Sequence, residues 1–199
     1  MDSFQNTGQP DWDWWGRLWP APGETLRDLG LTPDTSLVEI GRGNGYFALP
    51  AARIVDPAPV YALDIDDALL EELERIANQQ AIDTVVPIEG DARSLATHLP
   101  EPVDACLVAN LFHGVNDRSE LVRQLSEALE PDGALVVINW DGRSRETTTV
   151  AGEPRGPPTA LRLSSEETER AVCAETVFTT DRYVELPPYH YALRFERSS

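Results

Sequence analysis

This sequence predicts a doubly wound α/β fold, a mostly parallel sheet with an antiparallel C-terminal strand pair, on three observations. Short apolar runs rich in β-branched residues alternate with segments of helical period through most of the 199 residues. Two of these runs, "DACLVAN" and "GALVVINW", are apolar almost throughout, as strands covered on both faces of a parallel sheet must be. The end of the chain, "TVFTTDRYVELPPYHYALRFER", reads instead as two strands joined at Pro187 and Pro188 with no helix between them, hence as an antiparallel pair.

Taken in order, the N-terminal "DWDWWGRLWPAPGETLRDLGL" gathers Trp12, Trp14, Trp15 and Trp19; Trp15 and Trp19 share a helical face that Pro20 ends. Two readings stand: a helix docked on the core, or an aromatic lid over a ligand. Strands are expected over residues 37–40, 60–63, 85–88, 103–109 and 134–140. Between them, Leu69, Leu70, Leu73, Ile76 and Ala77 line one helix face, and Leu121, Val122, Leu125 and Leu129 line another. Residues 141–163 are polar, aperiodic and rich in breakers, and a loop of that length in a compact domain is usually functional or mobile. The expected organisation is one domain over 1–199: a Trp-rich cap (1–35), a core (36–140), this loop (141–163), and a helix with the strand pair (164–199).

Charge narrows the partners. The net charge is −18, and all 16 basic residues are arginine. An evenly acidic surface repels phosphates and anionic lipid, so neither a nucleic acid nor a membrane partner is expected, whereas solubility in a salt-rich cytosol is. No apolar run approaches the roughly 20 residues that span a bilayer, and "MDSFQNTGQPDW" lacks the features of a signal peptide, which predicts a cytoplasmic protein. Cys106 and Cys173 fall in an expected strand and helix and read as packing residues; no metal site is expected. Oligomeric state is not legible.

The chemistry sits around "SLVEIGRGNGYF". A dinucleotide fingerprint needs G-x-G-x-x-G, but after Gly41 and Gly43 the next glycine is Gly45, one place early, and Tyr46 stands where the third is required. A P-loop needs a lysine, and this chain has none. What remains is a loop whose glycines let a ligand approach backbone, with helix-start amides that favour a carboxylate. Glu39 beside it would repel phosphate and suit an ammonium group. Downstream, "VYALD" ends on Asp64, where such folds place an acid for ribose hydroxyls, and "IEGDA" brings Asp91 to the same sheet edge.

With these motifs the sequence resembles the class I S-adenosylmethionine-dependent methyltransferases of the broad small-molecule type. "VEIGRGNGYF" is similar to their E/D-x-G-x-G-x-G loop, "VYALDID" to their ribose-binding strand end and "IEGDARSL" to their adenine-side motif. "VDACLVANLFHGVND" resembles their fourth-strand motif, and "LEPDGALVVINW" their fifth strand. The resemblance implies S-adenosylmethionine as cofactor and methyl transfer to a small-molecule acceptor. It implies that Gly41, Gly43 and Gly45 border the methionine portion, that Glu39 supports its amino group and that Asp64 holds the ribose. Ile65 would press on adenine, Asp91 and Ala92 would border it, and Asn110 and Leu111 would line the floor near the sulfonium. Relatives often carry two histidines where this sequence has His113 followed by Gly114.

Methyl transfer is an in-line displacement that positioning accelerates, with a general base where the acceptor is a hydroxyl or a protonated amine. His113, after the fourth strand, is the catalytic candidate; His190, flanked by Tyr189 and Tyr191, is a second, and His98 is given no role. Arg143, Arg145 and Arg155 could contact an anionic substrate. Two alternatives remain. A cofactor-binding or regulatory protein on the same fold is left open, because methyl transfer leaves no obligatory catalytic residue to look for. A NAD-dependent oxidoreductase is opposed by Tyr46 and by the absence of lysine.

Overall fold

The structure is a computed structural model that describes residues 16–18, 21–41, 43, 45–174 and 177–198. The expected cluster of Trp12, Trp14, Trp15 and Trp19 lies outside the described residues. The first helix with both ends described, α1, spans Pro22–Asp28. Strand β1 (Leu37–Ile40) leads through the glycine loop into α2 (Ala48–Val55), and β2 (Val60–Asp64) into α3 (Asp67–Gln79). After β3 (Val85–Glu89) come a 3-10 turn (Ala92–Ser94) and the short α4 (Leu95–His98). β4 (Val103–Ala109), a second 3-10 turn (Phe112–Gly114), α5 (Arg118–Ala128) and β5 (Leu129–Trp140) follow. The strands β6 (Thr149–Val150) and β7 (Glu153–Pro154), then α6 (Ser165–Cys173), β8 (Phe178–Leu186) and β9 (His190–Arg197) complete the described chain.

Seven strands form one sheet in the order β3-β2-β1-β4-β5-β9-β8. β1 to β5 pair in parallel, and β9 runs antiparallel to both β5 and β8. This is the expected doubly wound sheet with its antiparallel terminal pair, which turns at a cis Pro187–Pro188 bond. Alternation along the central strands serves both faces. Leu37, Val136 and Ile138 point into the cluster under α1 and α2, while Val38, Ile40, Leu135 and Val137 point into the cluster under α5. Helix starts are fixed locally: Asp66 accepts from the Ala68 N–H, Asp117 accepts from the Glu120 N–H, and Ser164 and Glu167 form a capping box.

One expectation is corrected. Leu129 does not extend the α5 face: its backbone is already extended (φ −91°, ψ 145°), and it opens β5 opposite Val103. Pro131 two residues on has no N–H to continue a helix. Residues 141–163, expected as a loop, carry only short elements. They hold two 3-10 turns, Arg145–Thr147 and Thr159–Leu161, and the β6-β7 hairpin, whose turn residues Ala151 and Gly152 both take positive φ.

Leu125, on the buried face of α5, is fully enclosed. Leu125→Ala should therefore destabilise the protein by about 3 kcal/mol, seen as a lower urea midpoint with an unchanged slope.

Candidate active site at the carboxyl edge

Parallel pairing brings strand ends to a common edge. Ile40 lies opposite Leu63 on one side and Val108 on the other, Asp64 opposite Glu89, and Ala109 opposite Ile138. Whatever follows these residues in sequence therefore collects at one rim: the glycine loop, Ile65, Asp91, Asn110 and the 141–163 loop. Open α/β sheets bind ligands at this rim, where the strand order reverses around β1.

The glycine loop needs its glycines for space as well as for conformation. Gly41 takes φ +63°, and a Cβ there would stand 2.1 Å from Leu111 Cδ1. Gly45 takes φ +77°, and a Cβ there would stand 2.6 Å from Leu73 Cδ1. A side chain at either position would both strain the backbone and strike the floor. Asp64, 8% exposed, ties this loop to β2: its Oδ2 accepts from the Gly43 N–H at 3.3 Å and its Oδ1 from the Asp66 N–H at 3.1 Å. Glu39 is buried on the same sheet face as Leu37, beneath the loop.

Across the rim, Ile65 presents an apolar side chain that is 73% exposed. Asp91 starts the 3-10 turn. Its Oδ1 accepts from the Arg93 N–H and its Oδ2 from the Arg93 guanidinium, which holds the carboxyl below its ordinary range against the opposing effect of burial. Ala92 beside it is half-buried. Asn110 adopts φ +55°, and its N–H donates to the Ile138 carbonyl at 2.7 Å. Its side-chain Oδ1 is buried with no hydrogen-bond partner. Leu111 covers Gly41. The predicted residues Glu39, Gly41, Gly43, Gly45, Asp64, Ile65, Asp91, Ala92, Asn110 and Leu111 thus line one edge.

His113 is 3% exposed, with both ring nitrogens buried. Burial pushes its imidazole down to about 4; contact with Asn139 opposes this, and the Arg162 and Arg118 guanidinium groups add to it. His190 is also enclosed, its ring centroid 4.1 Å from that of Trp140, and burial lowers its imidazole in the same direction. At neutral pH both rings are uncharged.

Sequence patterns do not reveal the group that organises the 141–163 loop. Arg162, 7% exposed, donates from Nε to the Pro157 carbonyl, from Nη1 to that of Arg143, and from Nη2 to the Arg155 carbonyl and to Thr148 Oγ1. Its guanidinium lies 5.1 Å from the Trp140 ring centroid. Behind it, Tyr191 Oη pairs with Thr168 Oγ1 at 2.6 Å and donates to the Leu163 and Ser164 carbonyls. A lone arginine in a polar stretch carries no periodicity, so only the fold identifies it. Of the other loop arginines, Arg143 pairs with Asp141 and its guanidinium stands 5.5 Å from the Tyr189 ring centroid, while Arg145 donates to the Gly156 and Pro154 carbonyls.

The chemistry available is that of acceptor groups. No cluster of three or more potential metal ligands occurs among the described residues, and Cys106 is fully buried with its thiol pushed up by burial. A cavity of about 230 Å³ lies at the opposite edge, between α1 and the amino ends of β1, β4 and β5, and takes no part in this rim.

Residues 38–137 match the family model described as a methyltransferase domain. The chain is 28% identical over 152 residues, 72% of its length, to a fibrillarin-like rRNA/tRNA 2'-O-methyltransferase of Methanothrix thermoacetophila. It is 26% identical over 126 residues, 60% of its length, to a probable cobalt-precorrin-6B C(15)-methyltransferase of Sulfurisphaera tokodaii. It spans 66% and 63% of these relatives' lengths, under two thirds of each. The fold is similar to that of a SAM-dependent methyltransferase from Aquifex aeolicus, at a TM-score of 0.76 and 19% identity, covering 95% of this chain and 100% of that one.

The first of these relatives overturns the expectation that excludes nucleic acid as a partner. That expectation rested on net charge, which averages over the whole surface.

Removing the loop's anchor should release it. Arg162→Met keeps the bulk over Trp140 but leaves the carbonyls of Arg143 and Pro157 without their side-chain donor, and that of Arg155 with Thr148 Oγ1 alone. Limited proteolysis should then cut within 141–163 at least several times faster than in the wild type, while cleavage elsewhere is unchanged.

Proposed function

The chain belongs to the methyltransferase domain family, as a class I S-adenosylmethionine-dependent methyltransferase, and from that premise we propose how its own residues hold the donor and favour transfer. The observation that carries the reading is the donor and acceptor chemistry of the rim. Glu39, Asp64 and Asp91 offer carboxylates, and Asn110 offers a buried side-chain oxygen with no partner. Such a set suits a ligand that brings an ammonium, ribose hydroxyls, an adenine amine and a sulfonium, and it repels the phosphates of a dinucleotide. S-adenosylmethionine brings these groups, and when bound there it supplies an electrophilic methyl carbon.

In this reading Gly41, Gly43 and Gly45 border the methionine part, and the loop amides at the start of α2 face its carboxylate. Glu39 supports the amino group. Asp64 takes the two ribose hydroxyls while keeping its bonds to Gly43 and Asp66, since each carboxylate oxygen has a second lone pair. Ile65 lies against adenine, Asp91 and Ala92 border its edge, and Asn110 and Leu111 floor the sulfonium. Because displacement at the methyl carbon needs little covalent help, holding the acceptor in line is the main task of the protein.

His113 is the catalytic candidate in its neutral form, next to the floor residues Asn110 and Leu111; because its ring is enclosed, accepting a hydrogen bond from the acceptor requires that floor to move. The acceptor is of one of the two classes for which the relatives are named, a cobalt-precorrin-like compound or RNA. The acidic composition suits a salt-rich cytoplasm.

Calorimetry at high salt tests the donor. S-adenosylmethionine and S-adenosylhomocysteine should bind, NAD should not, and Asp64→Ala should weaken the first two by roughly 50-fold. Wild-type protein that binds neither sulfur ligand would sink the proposal.

The buried histidine makes a separate prediction. With its imidazole held near 4 against an ordinary 6.5, His113 contributes stability that is complete above about pH 6.5 and is lost as pH falls toward 4. The full loss is about 3 kcal/mol. Urea unfolding at pH 7.5 and pH 5 should show a smaller acid-induced loss for His113→Gln than for the wild type.

A further inference from the structure

We propose that His98 is a positioning residue for the adenine-side turn, and that Gly90 is glycine in order to seat it. The inference rests on the reading of Asp91 and Ala92 as the adenine border. It concerns a residue to which the sequence alone assigns no part.

Asp91 and Ala92 are separated from the end of β3 by Gly90, whose N–H donates to the Asp64 carbonyl at 3.0 Å. The imidazole of His98, the last residue of α4, lies directly on Gly90. A Cβ built there would stand 2.7 Å from Nε2, 2.8 Å from Cε1 and 2.9 Å from Cδ2, so a side chain at this position would force the ring to shift. Space is the reason for this glycine: its φ lies outside the left-handed range.

From that seat His98 Nε2 meets Ser94 Oγ at 3.1 Å, and Ser94 Oγ donates to the Asp91 carbonyl at 3.2 Å. Since the hydroxyl proton is directed at Asp91, the chain runs from the His98 Nε2–H to Ser94 Oγ and on to the Asp91 carbonyl. Three contacts therefore reinforce a turn that the Ser94 N–H already closes on the Asp91 carbonyl at 3.0 Å: the Asp64 carbonyl on Gly90, the imidazole against Gly90, and the relay on Asp91. The Asp91 carboxylate is aimed by this backbone together with its bonds to Arg93. Its Oδ1, engaged by one backbone N–H, keeps a lone pair for the exocyclic amine of adenine.

The arrangement predicts a coupling that an ordinary surface histidine would not have. Gly90→Ala damages the site by displacing the His98 ring, so once the ring is gone the added methyl has nothing to strike.

The test is a double-mutant cycle read by calorimetry with S-adenosylhomocysteine and its 6-oxo counterpart, S-inosylhomocysteine. His98→Ala and Gly90→Ala should each weaken S-adenosylhomocysteine by about tenfold and reduce the preference for the adenine ligand over the 6-oxo one. The double variant should be no weaker than His98→Ala alone, and His98→Gln, which retains a donor for Ser94, should recover part of the affinity. Equal weakening of both ligands would reduce His98 to a general structural residue and overturn the proposal. So would additive losses in the double variant, or undiminished adenine preference in His98→Ala. Wild-type protein that binds neither ligand would instead refute the donor reading beneath it.

Discussion

Parallel pairing of β1 between β2 and β4 is the constraint on which the rest of the structure depends. Ile40 is bonded in register to both neighbours, so the chain must leave β1 in the crevice between Asp64 and Asn110. That crevice is too narrow for side chains on the turning backbone. Leu111 on one flank and Leu73 beneath already fill the positions that a Cβ at Gly41 or Gly45 would take. The same crowding demands glycine at both positions, so a single steric requirement fixes the path by which the chain turns from β1 into α2.

The site divides into an open half and a closed half. On the proposed donor side, Ile65 and Asp91 are accessible and the turn after β3 is held from behind by His98 and Ser94. On the far side, His113, His190 and Arg162 are enclosed, and the guanidinium is satisfied by carbonyls and a hydroxyl instead of a carboxylate. Burial holds both imidazoles neutral, with the cation adding to the effect, and the guanidinium fixes the path of the 141–163 loop.

Much of the fold is legible in the sequence because period and composition report burial directly. The runs "DACLVAN" and "GALVVINW" can only be strands covered on both faces, and β4 and β5 are such strands. Leu129 is where this reasoning slips. Its spacing from Leu125 fits a helix, but backbone geometry two residues before Pro131 decides for the strand. On the donor side, the glycines and the acids at strand ends form an ordered pattern along the chain, and the residues singled out from it all come to one rim.

What the sequence by itself determined is whatever depends on neighbours in the chain: the strands and helices, the glycine loop after β1, the acids at the ends of β2 and β3, and the membership of a methyltransferase family that these carry. What only the tertiary structure decided depends on contacts that the chain's path creates and no local pattern announces. Arg162 reaches carbonyls on three sides of a folded loop, His190 meets Trp140 across β5 and β9, and His98 lies on a glycine eight positions earlier that the intervening turn brings beneath it. No periodicity encodes such contacts. They are fixed by the packing of surfaces that the chain brings together only after its strands have paired.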